Sequence, residues 1–117
     1  MSTPTYQLMN SLEEIMFIGG SEYTINIGVY DENEIPIDIG SATCSWTMAY
    51  YGQPDTAILT KSGTITGLNT FKILLSGADT ISLSGKFVHQ PIIVDYNGSI
   101  FRPAQGIITI IPRIKNT

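Results

Sequence analysis

Several kinds of residue are scarce in this chain of 117 amino acids, and each scarcity excludes a class of protein. The chain has one cysteine, Cys44, so no internal disulfide can form. This argues against a disulfide-stapled secreted module and fits synthesis in a reducing cytoplasm. The first ten residues carry no basic side chain and no apolar stretch, so we expect no signal peptide.

Charge is also sparse. Charged residues make up 14% of the chain, and their sum is a net charge of −4. Nucleic-acid binding requires a basic surface that displaces the counterions of the phosphates, so no nucleic-acid partner is expected. The longest apolar run, at residues 107–111, has the length of a strand. It is far shorter than the roughly 20 residues that cross a bilayer, so no membrane partner is expected either.

What the chain does contain is an alternation of apolar and polar residues, interrupted by turn formers. Residues 23–29 and 42–50 alternate with the period of two that is typical of a half-buried strand. Asn97-Gly98 is the strongest hairpin signal, and it joins a strand at 85–95, interrupted at Pro91, to a strand at 100–112. Residues 15–18 are expected to form an edge strand. Together these short strands predict an all-β fold, an immunoglobulin-like antiparallel β-sandwich of about seven strands.

The same pattern divides the chain and predicts its core. Residues 1–12 have weak patterning and are expected to form a short N-terminal arm, followed by the sandwich domain at 13–117. Trp46 lies on the third strand, where a sandwich usually places its central core residue. The predicted core residues are Ile25, Ile27, Val29, Cys44, Trp46, Met48, Phe71 and Ile73.

One pair of residues could support catalysis. Cys44 and His89, the only histidine, could serve as nucleophile and base, which leaves a small hydrolase as an alternative. Both lie within predicted strands, and no nucleophile elbow surrounds Cys44. The simpler interpretation is an inert buried thiol and an ordinary hydrogen-bonded histidine. We therefore predict no enzyme, with no catalytic residue, no cofactor and no metal ligand.

Acidic residues cluster in one short stretch that comprises Asp31, Glu32, Glu34 and Asp38. Calcium binding needs several oxygen ligands that converge in a small loop, and this stretch lacks the EF-hand spacing and its glycine. Asp and Asn favour turns for backbone reasons, so a solvated β-turn is the simpler interpretation. For the same reason Asp95 is expected to accept N–H bonds in the hairpin that follows it.

Two consecutive tyrosines, Tyr50 and Tyr51, could offer a stacking platform for a sugar ring. Tyr50 is also the end of the inward face that includes Trp46 and Met48, which leaves Tyr51 alone pointing outward. A carbohydrate- or host-surface-binding module, with a host glycan as ligand, is therefore the alternative function.

Three stretches carry a family resemblance. They are YTINIGVYDENEIPIDIGSATCSWTM at 23–48, LLSGADTISLSGKFVHQPIIVD at 74–95 and GIITIIP at 106–112. Together they resemble small immunoglobulin-like proteins encoded in the structural gene clusters of tailed phages and prophages. The chain departs from the family pattern at Ile39 and Ser41, and Glu34 stands where the turn glycine often lies.

The resemblance implies a non-enzymatic virion component that acts through repeated protein–protein contacts, as a tail or baseplate component or a capsid decoration. Its partners would be other virion structural proteins, and the chain would be oligomeric within the particle after synthesis in the bacterial host cytoplasm. Exposed strand edges invite pairing with another chain. The possible interface residues are Tyr51, Ile107, Ile111 and Arg113.

Overall fold

Strands form where the sequence alternates, and they assemble into two facing sheets. The computed structural model describes residues 14–31 and 33–114, and these contain nine strands and one helical turn. The predicted arm at 1–12 lies outside the described residues. The elements are β1 (Ile15–Ile18), β2 (Tyr23–Gly28), β3 (Thr43–Tyr50), β4 (Ala57–Ser62), β5 (Thr64–Ile65), β6 (Thr70–Leu75), α1 (Gly77–Thr80), β7 (Gly85–Val94), β8 (Ile100–Phe101) and β9 (Gly106–Ile111).

A six-stranded sheet faces a three-stranded sheet. The larger sheet has the order β1-β9-β7-β3-β4, with β8 pairing with the end of β7, and the smaller sheet has the order β2-β6-β5. This is the arrangement of an immunoglobulin-like sandwich, so the predicted fold class is confirmed. Among the described strands, seven have four or more residues, while β5 and β8 have two each.

One strand pair differs from the antiparallel prediction, because β1 runs parallel to β9. The cause is the connection that follows β1. The turn at Gly19 and Gly20 sends the chain across to β2 in the smaller sheet instead of back along the larger sheet. Without a hairpin to reverse it, β1 meets the last strand of the chain running in the same direction.

All eight predicted core residues are buried between the sheets, and the Trp46 side chain is fully enclosed. Alternation explains this result, since inward positions of β2, β3 and β6 face one another across the sandwich. Each large aliphatic side chain that is buried contributes about 1.5–3 kcal/mol. The structure adds further fully or almost fully buried side chains to the core, namely Ile39, Phe87, Ile93, Ile108 and Ile110.

The predicted interruption at Pro91 is wrong, because β7 runs through it without a break. Pro91 lies opposite Trp46 of β3. On the other side of β7, pairing with β9 ends at His89 and pairing with β8 begins at Ile93. Pro91 therefore stands beside a gap in the ladder, where its missing N–H removes no strand-to-strand hydrogen bond.

The Asn97-Gly98 hairpin is confirmed, with Gly98 in the left-handed region at φ 83°. The Asp95 carboxylate accepts hydrogen bonds from the N–H groups of Asn97 and Ser99, both at 2.9 Å, as expected from its position. The single strand predicted at 100–112 is wrong. It is divided into β8 and β9, and both pair with β7.

The helical turn α1 packs against the turn between β1 and β2. Ser76 and Asp79 form a capping box at its start, as the Ser and Asp spacing favours. Gly77 approaches so closely that an added Cβ would lie 2.5 Å from the Gly20 carbonyl oxygen. The buried Thr80 hydroxyl accepts a hydrogen bond from the Gly20 N–H at 3.1 Å. These contacts hold the end of β1 in place.

No helix among the described residues is long and apolar enough to cross a membrane.

Candidate interaction surface

The outer face of the larger sheet carries exposed apolar side chains at its β1 end. Within β1, Phe17 points inward and stacks on Tyr23 with ring centroids 4.7 Å apart. Alternation then turns Met16 and Ile18 outward, where their side chains are 60% and 50% exposed. An edge strand with apolar residues on both of its faces is unusual for a fully solvated surface.

The neighbouring strand β9 extends this apolar surface. Ile108 and Ile110 are buried in the core, so Ile107 and Ile111 lie on the outer face. Ile111 is 41% exposed and is the register partner of Ile18. We call Met16, Ile18, Ile107 and Ile111 the β1–β9 patch.

The predicted interface residues are only partly brought together. Ile107 and Ile111 lie in the β1–β9 patch. The exposed Arg113 lies two residues after Ile111, with its Cδ 3.2 Å from where a Cβ on Gly20 would be. Tyr51 lies two strands away, next to β3, with the Lys86 ammonium 5.5 Å from its ring centroid.

Sequence reasoning missed Met16 and Ile18 as members of this surface. The signal was present, since residues 15–18 were expected to form an edge strand and are apolar at every position. What was missing was the pairing of β1 with β9, which joins residues from the two ends of the described chain.

Cys44 and His89 do not form a nucleophile–base pair. They lie on adjacent strands, but the register partner of His89 is Met48. Met48 is four residues from Cys44, which corresponds to about 13 Å along the strand. Burial raises the pKa of the Cys44 thiol to about 11, so the reactive thiolate is disfavoured. The geometry supports the interpretation of Cys44 as a core residue.

His89 instead forms a buried polar pair with Trp46. The Trp46 indole N–H donates to His89 Nδ1 at 2.8 Å, which fixes the neutral imidazole as the tautomer with hydrogen on Nε2. Nε2 itself is buried without a hydrogen-bond partner in the described structure. Burial lowers the pKa of His89 to about 4, so the ring is neutral at neutral pH. This is the hydrogen-bonded strand histidine that the sequence indicates, buried beside the core residue Trp46.

Tyr50 and Tyr51 do not form one stacking platform. The Tyr50 ring packs on Phe87, with centroids 5.2 Å apart, whereas Tyr51 lies beneath Lys86. Lys86 and Phe87 are consecutive in β7 and point to opposite faces of the sheet. The two rings therefore lie on opposite faces, with Tyr51 59% exposed on the outer one.

The acidic stretch forms turns. The Asp31 carboxylate accepts hydrogen bonds from the N–H groups of Asn33 at 2.8 Å and Ile35 at 3.0 Å. Asp38 accepts from the Gly40 N–H at 2.8 Å. Glu32 lies outside the described residues. Among those described, no three His, Cys, Asp or Glu residues are close enough together to hold a metal ion.

Three depressions in the surface lie away from Tyr51. The largest of these three, of about 470 Å³, opens between the sheets and is lined by residues that include Glu22, Lys61 and Ser76. A second, of about 230 Å³, is lined by residues that include Leu83, Pro112 and Arg113. A smaller one, of about 60 Å³, lies on the outer face of the larger sheet beside Thr47 and Val88. The smaller depression is well below the size of ordinary small-molecule sites, which span about 300–1,000 Å³.

The similarity of this chain to known proteins is one of fold only. No protein-family model matches this chain, and no curated protein resembles it in sequence. Part of an endo-fucoidan hydrolase of glycoside hydrolase family 107 superposes with a TM-score of 0.53 at 15% identity, over 87% of this chain and 13% of that one. A fibronectin(III)-like module of CbhA from Clostridium thermocellum gives a TM-score of 0.49 at 9% identity, over 94% of this chain and 100% of the module. CopC from Methylosinus trichosporium OB3b gives a TM-score of 0.48 at 10% identity, over 88% and 89%.

Proposed function

We propose that this chain is a non-enzymatic structural component of a tailed-phage particle, serving as a tail or baseplate component or as a capsid decoration. It acts there through repeated contacts with other virion structural proteins. The observation that carries the proposal is the exposed β1–β9 patch on the outer face of a rigid sandwich. The resemblance of the stretches at 23–48, 74–95 and 106–112 to phage immunoglobulin-like proteins supplies the biological setting.

Covering the β1–β9 patch with a partner removes exposed apolar surface from water. Met16 and Ile18 expose about half or more of their surface, and Ile111 stands beside them. Burying apolar surface stabilises an association by about 25 cal/mol per Å² before the cost of ordering is subtracted. A patch of four side chains on two strands gives a weak single contact, so a particle that repeats the contact many times fits this feature best.

Quantitative mass spectrometry of purified virions tests the proposal. We expect the protein at a stoichiometric copy number that matches the symmetry of a particle substructure. Replacing the gene with an Ile18→Asp variant should reduce incorporation, since a carboxylate would be buried in the contact without a partner. Absence of the wild-type protein from purified particles contradicts the proposal.

A second candidate, binding of a host glycan, is favoured by the exposed Tyr51 ring. Aromatic faces stack on sugars, and the Lys86 ammonium near the ring could bind an anionic group of a sugar. The separation of Tyr50 from Tyr51 reduces the stacking area to one ring. A glycan array with wild type, Tyr51→Ala and the control Tyr96→Ala tests this function, because Tyr96 is exposed on a distant hairpin. Loss of binding only in Tyr51→Ala would favour the glycan function.

A further inference from the structure

The smallest of the three depressions lies on the outer face of the larger sheet, where β3 and β7 pair. Its apolar lining consists of Ala49, Pro54, Ala57 and Val88. Alternation directs Ala49 outward, away from the core residue Met48, yet only 6% of Ala49 is exposed. The connection from β3 to β4, which carries Pro54, therefore folds onto this face and forms one wall of the depression.

The volume of the depression suits one substituent of a ligand. It measures about 60 Å³, whereas a single water molecule needs about 10–15 Å³ by the same measure. The depression therefore has room for a group of about four to six non-hydrogen atoms. The rest of any ligand must lie on the open face of the sheet, beside the depression.

Two glutamine side chains also line the depression, and they are hydrogen-bonded to each other. The Gln105 amide N–H donates to the Gln90 side-chain oxygen at 3.1 Å. This bond leaves the amide N–H groups of Gln90 as donors and the side-chain oxygen of Gln105 as an acceptor. An acetamido group offers a carbonyl acceptor, an N–H donor and a methyl group within four non-hydrogen atoms. It matches both the amides and the apolar lining.

A positive charge and an aromatic ring lie further along the same two strands. The Tyr51 N–H donates to the Lys86 carbonyl at 3.2 Å, next to the register pair of Ala49 with Val88. The pair of Tyr51 and Lys86 is therefore about 7 Å away from the depression, since two residues of a strand separate them. One sugar ring with its substituents can bridge this separation.

Lys86 is available to an anionic ligand. Its ammonium is 5.5 Å from the Tyr51 ring centroid, and it has no ion pair among the described residues. A hydrogen bond between an ammonium and a carboxylate is stronger than an exposed contact between an ammonium and an aromatic ring. A carboxylate would therefore draw Lys86 from the ring, which frees the ring face for stacking.

We propose that this face binds an acetamido sugar that also carries a carboxylate. The acetamido methyl group enters the depression while the amide binds Gln90 and Gln105. The carboxylate binds Lys86, and the sugar ring lies on Tyr51. N-acetylneuraminic acid and N-acetylmuramic acid both have this chemistry. The inference rests on the glycan candidate for its class of ligand, and it is independent of the β1–β9 patch.

An NMR titration of the ¹⁵N-labelled full chain tests the proposal. The probes are N-acetylneuraminic acid, N-acetylmuramic acid, N-acetylglucosamine, which lacks the carboxylate, and glucuronic acid, which lacks the acetamido group. We expect at least one of the two acetamido acids to bind at least about fivefold more tightly than either single-feature sugar. The shifts should centre on the backbone amides of Ala49, Lys86, Val88 and Gln90. The tighter of the two acids distinguishes a sialylated glycan from bacterial peptidoglycan as the source.

Two variants separate the contributions of charge and shape. Lys86→Met should reduce the affinity for the acetamido acids to that for N-acetylglucosamine. Ala57→Leu narrows the depression at an exposed position and should weaken the acetamido acids by at least about fivefold, with glucuronic acid unchanged. The matched control is Lys72→Met on the smaller sheet, which should leave all four affinities unchanged. Unchanged spectra away from the site will show that each variant folds.

The outcomes distinguish this inference from the functions proposed above. Equal affinities for the four sugars, or a Lys86→Met variant that binds the acetamido acids as the wild type does, overturn the inference and leave the glycan candidate standing. No binding of any sugar in the titration or on the glycan array overturns both. The structural role in the particle is decided separately, by the mass spectrometry of virions.

Discussion

At the scale of single residues, the buried pair of Trp46 and His89 has the clearest physical consequence. The indole N–H donates to His89 Nδ1, so that nitrogen must remain an acceptor. Protonation would place a second N–H against the indole N–H in a site that burial already makes unfavourable for charge. The fold therefore excludes a proton that the unfolded chain binds readily.

We expect the free energy of unfolding to fall as the pH drops from 6.5 to 4. In the unfolded chain histidine titrates near pH 6.5, whereas burial lowers the pKa of His89 to about 4 in the fold. The unfolded state then binds more protons across that window, and the fold loses about 3 kcal/mol in total. Urea unfolding at several pH values measures this.

His89→Phe is the matched variant for the acid effect, since it removes the titrating group and keeps an aromatic side chain. Its stability should change much less than that of the wild type between pH 6.5 and 4.5. His89 is also the only histidine, so its NMR titration can be followed directly. A midpoint above pH 6 would contradict the expectation.

Glu34 is strained in its turn. It adopts a φ of 63°, in the left-handed region where a side chain is disfavoured. Glu34→Gly should therefore stabilise the protein by about 0.5–1 kcal/mol, once the greater freedom of glycine in the unfolded chain is included. Thermal unfolding measures the change. Asn33→Gly, one residue earlier and without a positive φ, should instead be neutral or destabilising.

At the scale of elements, the contact between α1 and the β1–β2 turn has no space for a side chain. Gly77→Ala would place a methyl group 2.5 Å from the Gly20 carbonyl oxygen, which forces the two segments apart. We expect a loss of about 1–3 kcal/mol in chemical denaturation. Ala78→Ser, at an exposed position of the same turn, should stay within about 0.5 kcal/mol of the wild type. Equal effects of both variants would contradict this account.

The elements also show what the sequence could and could not predict. Strands with a clear period of two, such as β2, β3 and β6, and their inward residues were predicted because burial of one face is a local pattern. The continuity of β7 at Pro91 was not, since it depends on a gap between β8 and β9. The β1–β9 patch was not predicted either. The apolar residues of β1 are visible in the sequence, but its parallel pairing with the distant strand β9 leaves no local signal.

At the scale of the whole molecule, an ion pair connects the larger sheet to the helical turn α1. Lys61 of β4 contacts Asp79 of α1 at 2.8 Å. Burial alone would raise the pKa of Asp79, but hydrogen bonds from Lys61 and Ser76, together with the Lys61 charge, hold that pKa below its ordinary value. The pair links an edge of the larger sheet to the segment that follows the smaller one.

Lys61→Met should therefore destabilise the protein by about 1 kcal/mol at low salt, and by less at high salt because exposed parts of the pair are screened. Urea denaturation at two salt concentrations measures both effects. Lys72→Met is the control, since Lys72 lies on β6 without an ion pair in the described residues. A loss that is the same at both salt concentrations would point to packing instead of charge.

The parallel pairing of β1 with β9 also determines how the molecule responds to mechanical force. Tension applied between the two ends of the chain pulls β1 toward its start and β9 toward its end. Because the strands run in the same direction, this tension shears their whole ladder at once instead of opening it bond by bond. We expect a high rupture force in single-molecule stretching from the ends of the chain. Such resistance to tension would suit a component of an assembly that bears load.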